Sequence, residues 1–210
     1  MRRKSFDVLV SVGGLLLTLV LLAAGGLLLW GYSYANNTVH NQLAAQSIYF
    51  PTKAAFAQAK PGTEITPGMI PYLSKYAGQE LTTGAQAEAY ADHFIAVHLQ
   101  EIGGGKTYSE LSAAAMALPK GSAAYTAAEA KVQTVFQGTS LRGMLLNAYG
   151  WWQMGQIALI AAIISFALAL VTLVLAGLGL WHYRRVPVDE EIPRFASPAP
   201  VNQNLAPNPS

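Results

Sequence analysis

The chain has 210 residues, 52% of them hydrophobic and only 11% charged, with a formal net charge of +2. Soluble proteins carry about 25% charged residues, so this composition points to a membrane. The near-neutral balance, without an arginine-rich stripe or zinc-finger spacing, sets nucleic acid aside, and the lack of cysteine removes disulfides, thiol nucleophiles and cysteine-rich metal sites.

In chain order, Arg2, Arg3 and Lys4 precede a run from Val8 to Tyr32 that holds no charged side chain. It exceeds the roughly 20 apolar residues that a helix needs to cross the hydrocarbon core. Ser33-Tyr34-Ala35 has the form of a signal-peptide cleavage site, but a signal h-region spans only about 7–15 residues, so an uncleaved anchor is expected. The helix is expected to continue outward to about Ser47, until Phe50-Pro51 stops it. A short helix fits Thr52 to Ala59, and Thr66-Pro67-Gly68 makes the next stretch irregular, with one or two turns from Pro71 to Ala77.

The clearest helix of the intervening segment runs from Gly84 to about Ile102, opened by the capping box Thr83-x-x-Gln86. Its apolar face takes in Ala87, Ala91, Phe94, Ile95, His98 and Ile102. Gly103 reads as its left-handed stop, and Thr107-x-x-Glu110 as the cap of a further helix that Pro119-Lys120-Gly121 closes. A helix from Ser122 to Gln137 turns Tyr125, Val132 and Phe136 to the core and stops at Gly138. Thr139 or Ser140 then caps LRGMLLNAYGWW, which flows into a second charge-free run, Gln156 to Trp181. Arg184 and Arg185 follow it.

Basic residues thus flank the outer ends of a two-span unit, and the positive-inside bias places both termini in the cytoplasm. The expected order is a cytoplasmic N-terminus (1–7), a first transmembrane helix (8–32), a helical extracytoplasmic domain (33–153), a second transmembrane helix (154–182) and a cytoplasmic tail (183–210). The fold class is an all-α membrane protein. The seven basic and seven acidic residues of the domain balance, and Trp30, Tyr32, Tyr34, Tyr149, Trp151 and Trp152 stand where interfacial aromatics belong. The tail holds six prolines after Arg185 and reads as disordered.

Gly105-Lys106-Thr107 has the look of a phosphate-binding loop. A Walker A motif requires glycine six residues before its lysine, where this chain has Gln100, and the lysine follows a helix rather than a strand. No nucleotide is expected. His93 and His98 lie about 140° apart around a helix and cannot share one ion. His98 and Glu101 can converge, and this polar pair on an apolar face is the candidate site of the helix, read first as structural. No intramembrane charge marks an ion path, and no nucleophile elbow or metalloprotease helix occurs, so neither a cofactor nor an enzymatic activity is expected. Arg142 and Asn147 interrupt the approach to the second span; Arg142 is placed to pair with an acid of the domain or to meet lipid phosphate. In the second span Ala161, Ser165 and Ala169 recur every four residues, a small-residue stripe suited to close helix contact with the first span or with another membrane protein.

GAQAEAYADHFIAVHLQEIGGGKTYSELS and FQGTSLRGMLLNAYGWWQMGQIA resemble segments of uncharacterised actinobacterial two-pass membrane proteins with a helical extracytoplasmic domain. The resemblance covers about half of the chain and implies a bacterial plasma membrane, with no activity or cofactor attached to it. The sequence is therefore read as a non-enzymatic accessory or scaffold protein. Beyond the lipid bilayer, its partner would be another membrane protein or a second copy of itself. The alternative is a ligand-sensing module acting through a separate signalling partner.

Overall fold

The computed structural model describes residues 3–185 and Pro187. The proline-rich tail beyond Pro187 lies outside the described residues, as do Met1, Arg2 and Val186. Among the described residues the regular elements are seven α-helices with short 3-10 and π segments between some of them. A single bridge joins Tyr49 to Glu80, and no strand forms among the described residues. Two helices, α1 (Arg3–Ala44) and α7 (Ala123–Arg185), are long and apolar enough to cross a membrane.

The chain divides into two compact units. One joins the part of α1 up to Ala24 to the part of α7 from Ile164, an antiparallel pair whose seam consists of small residues. The α1 positions Ser11, Gly14 and Thr18 meet Gly179, Ala176 and Thr172 of α7, so each step along one helix is matched by the same step back along the other. A methyl group on Gly14 would sit 3.2 Å from the Ala176 Cβ, and one on Gly179 would overlap the Ser11 hydroxyl. Hydroxyls supply the polar contacts: Thr18 and Thr172 lie 2.8 Å apart, and Ser165 donates to the Leu21 carbonyl at 2.7 Å. At the end of the pair His182 Nδ1 lies 3.1 Å from the Asp7 carboxylate.

The seam departs from the stripe expected every four residues. Ser165 and Ala169 are buried in it, while Ala161 falls in the other unit and is only half-buried. The α7 seam positions Ser165, Ala169, Thr172, Ala176 and Gly179 alternate steps of four and three, the heptad spacing that keeps two helices in register as they supercoil.

The second unit, Gly25–Ile163, contains the small helices. Helix α1 ends at Ala44, three residues before the expected limit, in a turn where Ser47 takes φ 51°. Thr52 caps α2 (Lys53–Ala57), accepting from the Ala55 N–H. Pro67–Met69, α3 (Ile70–Leu73) and Ser74–Tyr76 follow as short turns of helix. They carry Met69 and Leu73 into a core with Leu81, all three fully buried. Helix α4 (Gly84–Tyr90) starts with the complete capping box of Thr83 and Gln86. Gln86 is buried and its polar atoms are bonded: Oε1 accepts from the Thr82 and Thr83 amides, and Nε2 donates to Gln79. Gly84 is buried against Trp152 so closely that a methyl group would fall inside the indole.

The expected single helix over 84–102 contains a π turn, Ala91–Ile95, before α5 (Ala96–Gly103). A π turn uses one residue more than an α turn and rotates everything after it. The inward face therefore continues through Ile95 and Leu99 to Gly103, while Ile102, expected inward, is 39% exposed. The left-handed stop also falls one residue later than expected, at Gly104 with φ 63°.

Helix α6 (Tyr108–Met116) opens with the Thr107 and Glu110 capping box. The expected break at Gly138 is absent, since α7 runs unbroken for 63 residues. A methyl group on Gly138 would collide with Leu99; the glycine admits a neighbouring side chain and does not end the helix. Val132 is buried as expected, but Phe136 is 48% exposed and Val135 joins Val132, Leu111 and Ala115 in its place.

Candidate functional site

A groove of about 720 Å³ lies between α1 and α7 in the second unit. Its floor follows from helical spacing: Ala35, Val39 and Leu43 recur every four residues on α1 and are buried, as is Leu145 on α7. One wall carries Tyr34, Thr38, Gln42 and Gln46, and the other Leu141, Met144, Asn147, Ala148 and Trp151. Gly155 brings the helices together at one end, where a methyl group would stand 3.2 Å from the Ala35 Cβ. Met144, Trp151 and Tyr34 are 70, 62 and 61% exposed. No carboxylate, ammonium, guanidinium or imidazole lines the groove, so its polar edges are the neutral hydroxyl and amide groups of Thr38, Gln42, Gln46 and Asn147.

The candidate residues named from sequence separate in space. Asn147 lies on the groove. Arg142 pairs through Nη2 with the Asp92 carboxylate at 2.6 Å, both side chains about a third exposed. The π turn holds Asp92, and the next residue, His93, stacks on Tyr72 with ring centroids 3.5 Å apart and planes within 5°. His98 donates its Nδ1–H to the Phe94 carbonyl at 2.7 Å and packs its ring on Phe94. Because a carbonyl only accepts, this bond fixes the proton on Nδ1. Glu101 is exposed, and no hydrogen bond or ion pair joins it to His98 among the described residues. No group of three or more metal-ligating side chains converges among them either. Ser165 and Ala169 belong to the intramolecular seam of the other unit.

Tyr90 stands between Phe50 and Phe94 in an aromatic row that continues to Tyr76 and His98. Burial pushes its phenol above the usual tyrosine value, and the Glu64 carboxylate adds to the effect. The Gly105-Lys106-Thr107 turn lines a shallower cleft of about 440 Å³ with Leu99, Val135 and Thr139. The Thr107 amide and hydroxyl donate to the Glu110 carboxylate, each at 2.8 Å. The bonds from the Thr107 backbone and side chain hold Glu110 below the ordinary carboxylate value.

Sequence reasoning missed the groove, although Tyr34 and Trp151 were marked as interfacial aromatics. The available signal was the spacing of Ala35, Val39 and Leu43, matched by Leu141, Leu145 and Ala148 on the other apolar approach. No protein family, curated protein or solved structure matches the chain.

Proposed function

We propose that this chain is a non-enzymatic integral membrane accessory or scaffold protein. In this reading residues 8–32 and 154–182 cross a bacterial plasma membrane with both termini in the cytoplasm, and the helical domain lies on the extracytoplasmic side. Two observations support the membrane assignment: the basic residues beyond each apolar run, and the exposure of large aliphatic side chains such as Leu19, Val20, Leu170 and Leu175 along both helices. So extensive an apolar surface requires an apolar neighbour.

The groove carries the functional reading. It places exposed Tyr34, Met144 and Trp151 beside neutral amides, and aromatic and methionine side chains without charge are typical of the centre of protein interfaces. Its walls belong to the segments next to the apolar runs, within reach of another membrane-anchored helix. The test is purification of the full chain in mild detergent with whatever protein stays bound. A stoichiometric membrane protein that is lost from Met144→Glu supports the reading. A chain that retains only a small molecule supports the sensing alternative, which the two-helix construction of the groove favours because any occupant touches both walls.

A further inference from the structure

The geometry points to a second copy of this chain as the occupant of the groove, closing two helix pairs into a four-helix bundle about a two-fold axis along the membrane normal. This inference rests on the proposed interface role and names the partner. A two-fold interface places the same patch on both sides, so the patch must complement itself. A surface dominated by one sign of charge does not, whereas this groove has no charged side chain at all. Its polar groups are Thr38, Gln42, Asn147 and their like, and each hydroxyl or amide both donates and accepts. Such groups bond to their own counterparts without a charged complement. Discrimination between unlike partners commonly relies on charge pairing and on like-charge clashes, and the groove offers neither.

Spacing and depth agree with chemistry. On α1 the lining residues Ala35, Thr38 and Gln42, and on α7 Leu141, Met144, Ala148 and Trp151, follow steps of three and four. That is the repeat by which helices mesh in four-helix bundles. Two copies inserted in one membrane with the same orientation hold equivalent residues at the same depth, so Met144 of one copy stands level with Met144 of the other. Trp151, Tyr34 and Met144, the most exposed large side chains of the lining, then become the buried centre of the contact.

The experiment places a photo-crosslinking amino acid at Met144 in the full-length chain and irradiates it in native membranes. Tyr72, exposed on the domain away from the groove, serves as the control position. The expected product from position 144 is an adduct of twice the chain's mass whose linked peptides come from groove residues of two copies, with none from position 72. Gln42→Glu, which sets a carboxylate from each copy into the closed seam, lowers the yield of that adduct at least about tenfold, since like charges in an interface repel. An adduct with a different polypeptide overturns the second copy as occupant and leaves the accessory reading standing. Adducts with lipid alone, or no adduct, overturn both. A yield unchanged by Gln42→Glu overturns the groove as the site of self-association.

Discussion

The seam of the long-helix pair is made of Ser11, Gly14, Thr18, Ser165, Ala169, Thr172, Ala176 and Gly179, whereas the core of the other unit closes on Met69, Leu73 and Leu81. The contrast is the one expected if, as proposed, the helix pair lies in lipid and the other unit in water. A domain in water gains stability by removing large apolar side chains from solvent. Two helices in lipid gain nothing that way, because the medium is as apolar as leucine, and depend on close backbone approach and interhelical hydrogen bonds. The large aliphatic residues of α1 and α7 accordingly point outward, and the small ones face each other.

That contrast can be broken by experiment. The largest effect belongs to the domain. Leu73→Ala empties a fully buried site and is expected to destabilise it by about 2–5 kcal/mol, measured by urea unfolding of the chain in detergent with tryptophan fluorescence. In the seam, Thr18→Val removes the contact with Thr172, but Thr172 keeps its bonds to the Leu168 and Ala169 carbonyls. With no buried polar group stranded, the expected loss is only about 0.6 kcal/mol, the average for interhelical hydrogen bonds in membranes, read by helix-pair unfolding in bicelles. A seam variant as damaging as Leu73→Ala would erase the distinction between the two units.

The smallest effect sharpens the difference through pH. Glu110 is held below its ordinary value of 4.5 by the Thr107 bonds, so its carboxylate stabilises the folded state fully above that value and loses this contribution as pH falls through the lower, folded one. Glu110→Gln keeps the capping geometry and removes the titration. The drop in the domain's Tm between about pH 6 and about pH 3 should then be smaller in the variant than in the native chain. An equal drop would assign the acid sensitivity to other carboxylates.

Much of the local architecture is legible in the sequence because its signals are local. Thr83-x-x-Gln86 and Thr107-x-x-Glu110 form the two capping boxes they spell, and the charge-free runs lie within the two long helices. Features set by distant partners are not legible. Asp92 is found as the partner of Arg142 only once fifty residues of chain have folded between them. The seam was visible as Ser165 and Ala169, but its alternating spacing comes from winding against α1. Gly138 reads as a helix stop because glycine's local preference says so, and packing against Leu99 decides otherwise. His98 and Glu101, three apart, suggest a pair, yet the imidazole is engaged by the carbonyl one turn earlier.

The π turn at Ala91–Ile95 also acts as a vernier. It advances the face of α5 so that Leu99 arrives opposite Gly138, the residue that can receive it. Winding this turn as α-helix with no residue removed would send His98 and Ile102 toward α7 and carry Leu99 past its notch. Restoring a fit would then require a different bare spot on α7. The π winding at 91–95 and the missing side chain at 138 thus serve a single contact from two places in the chain.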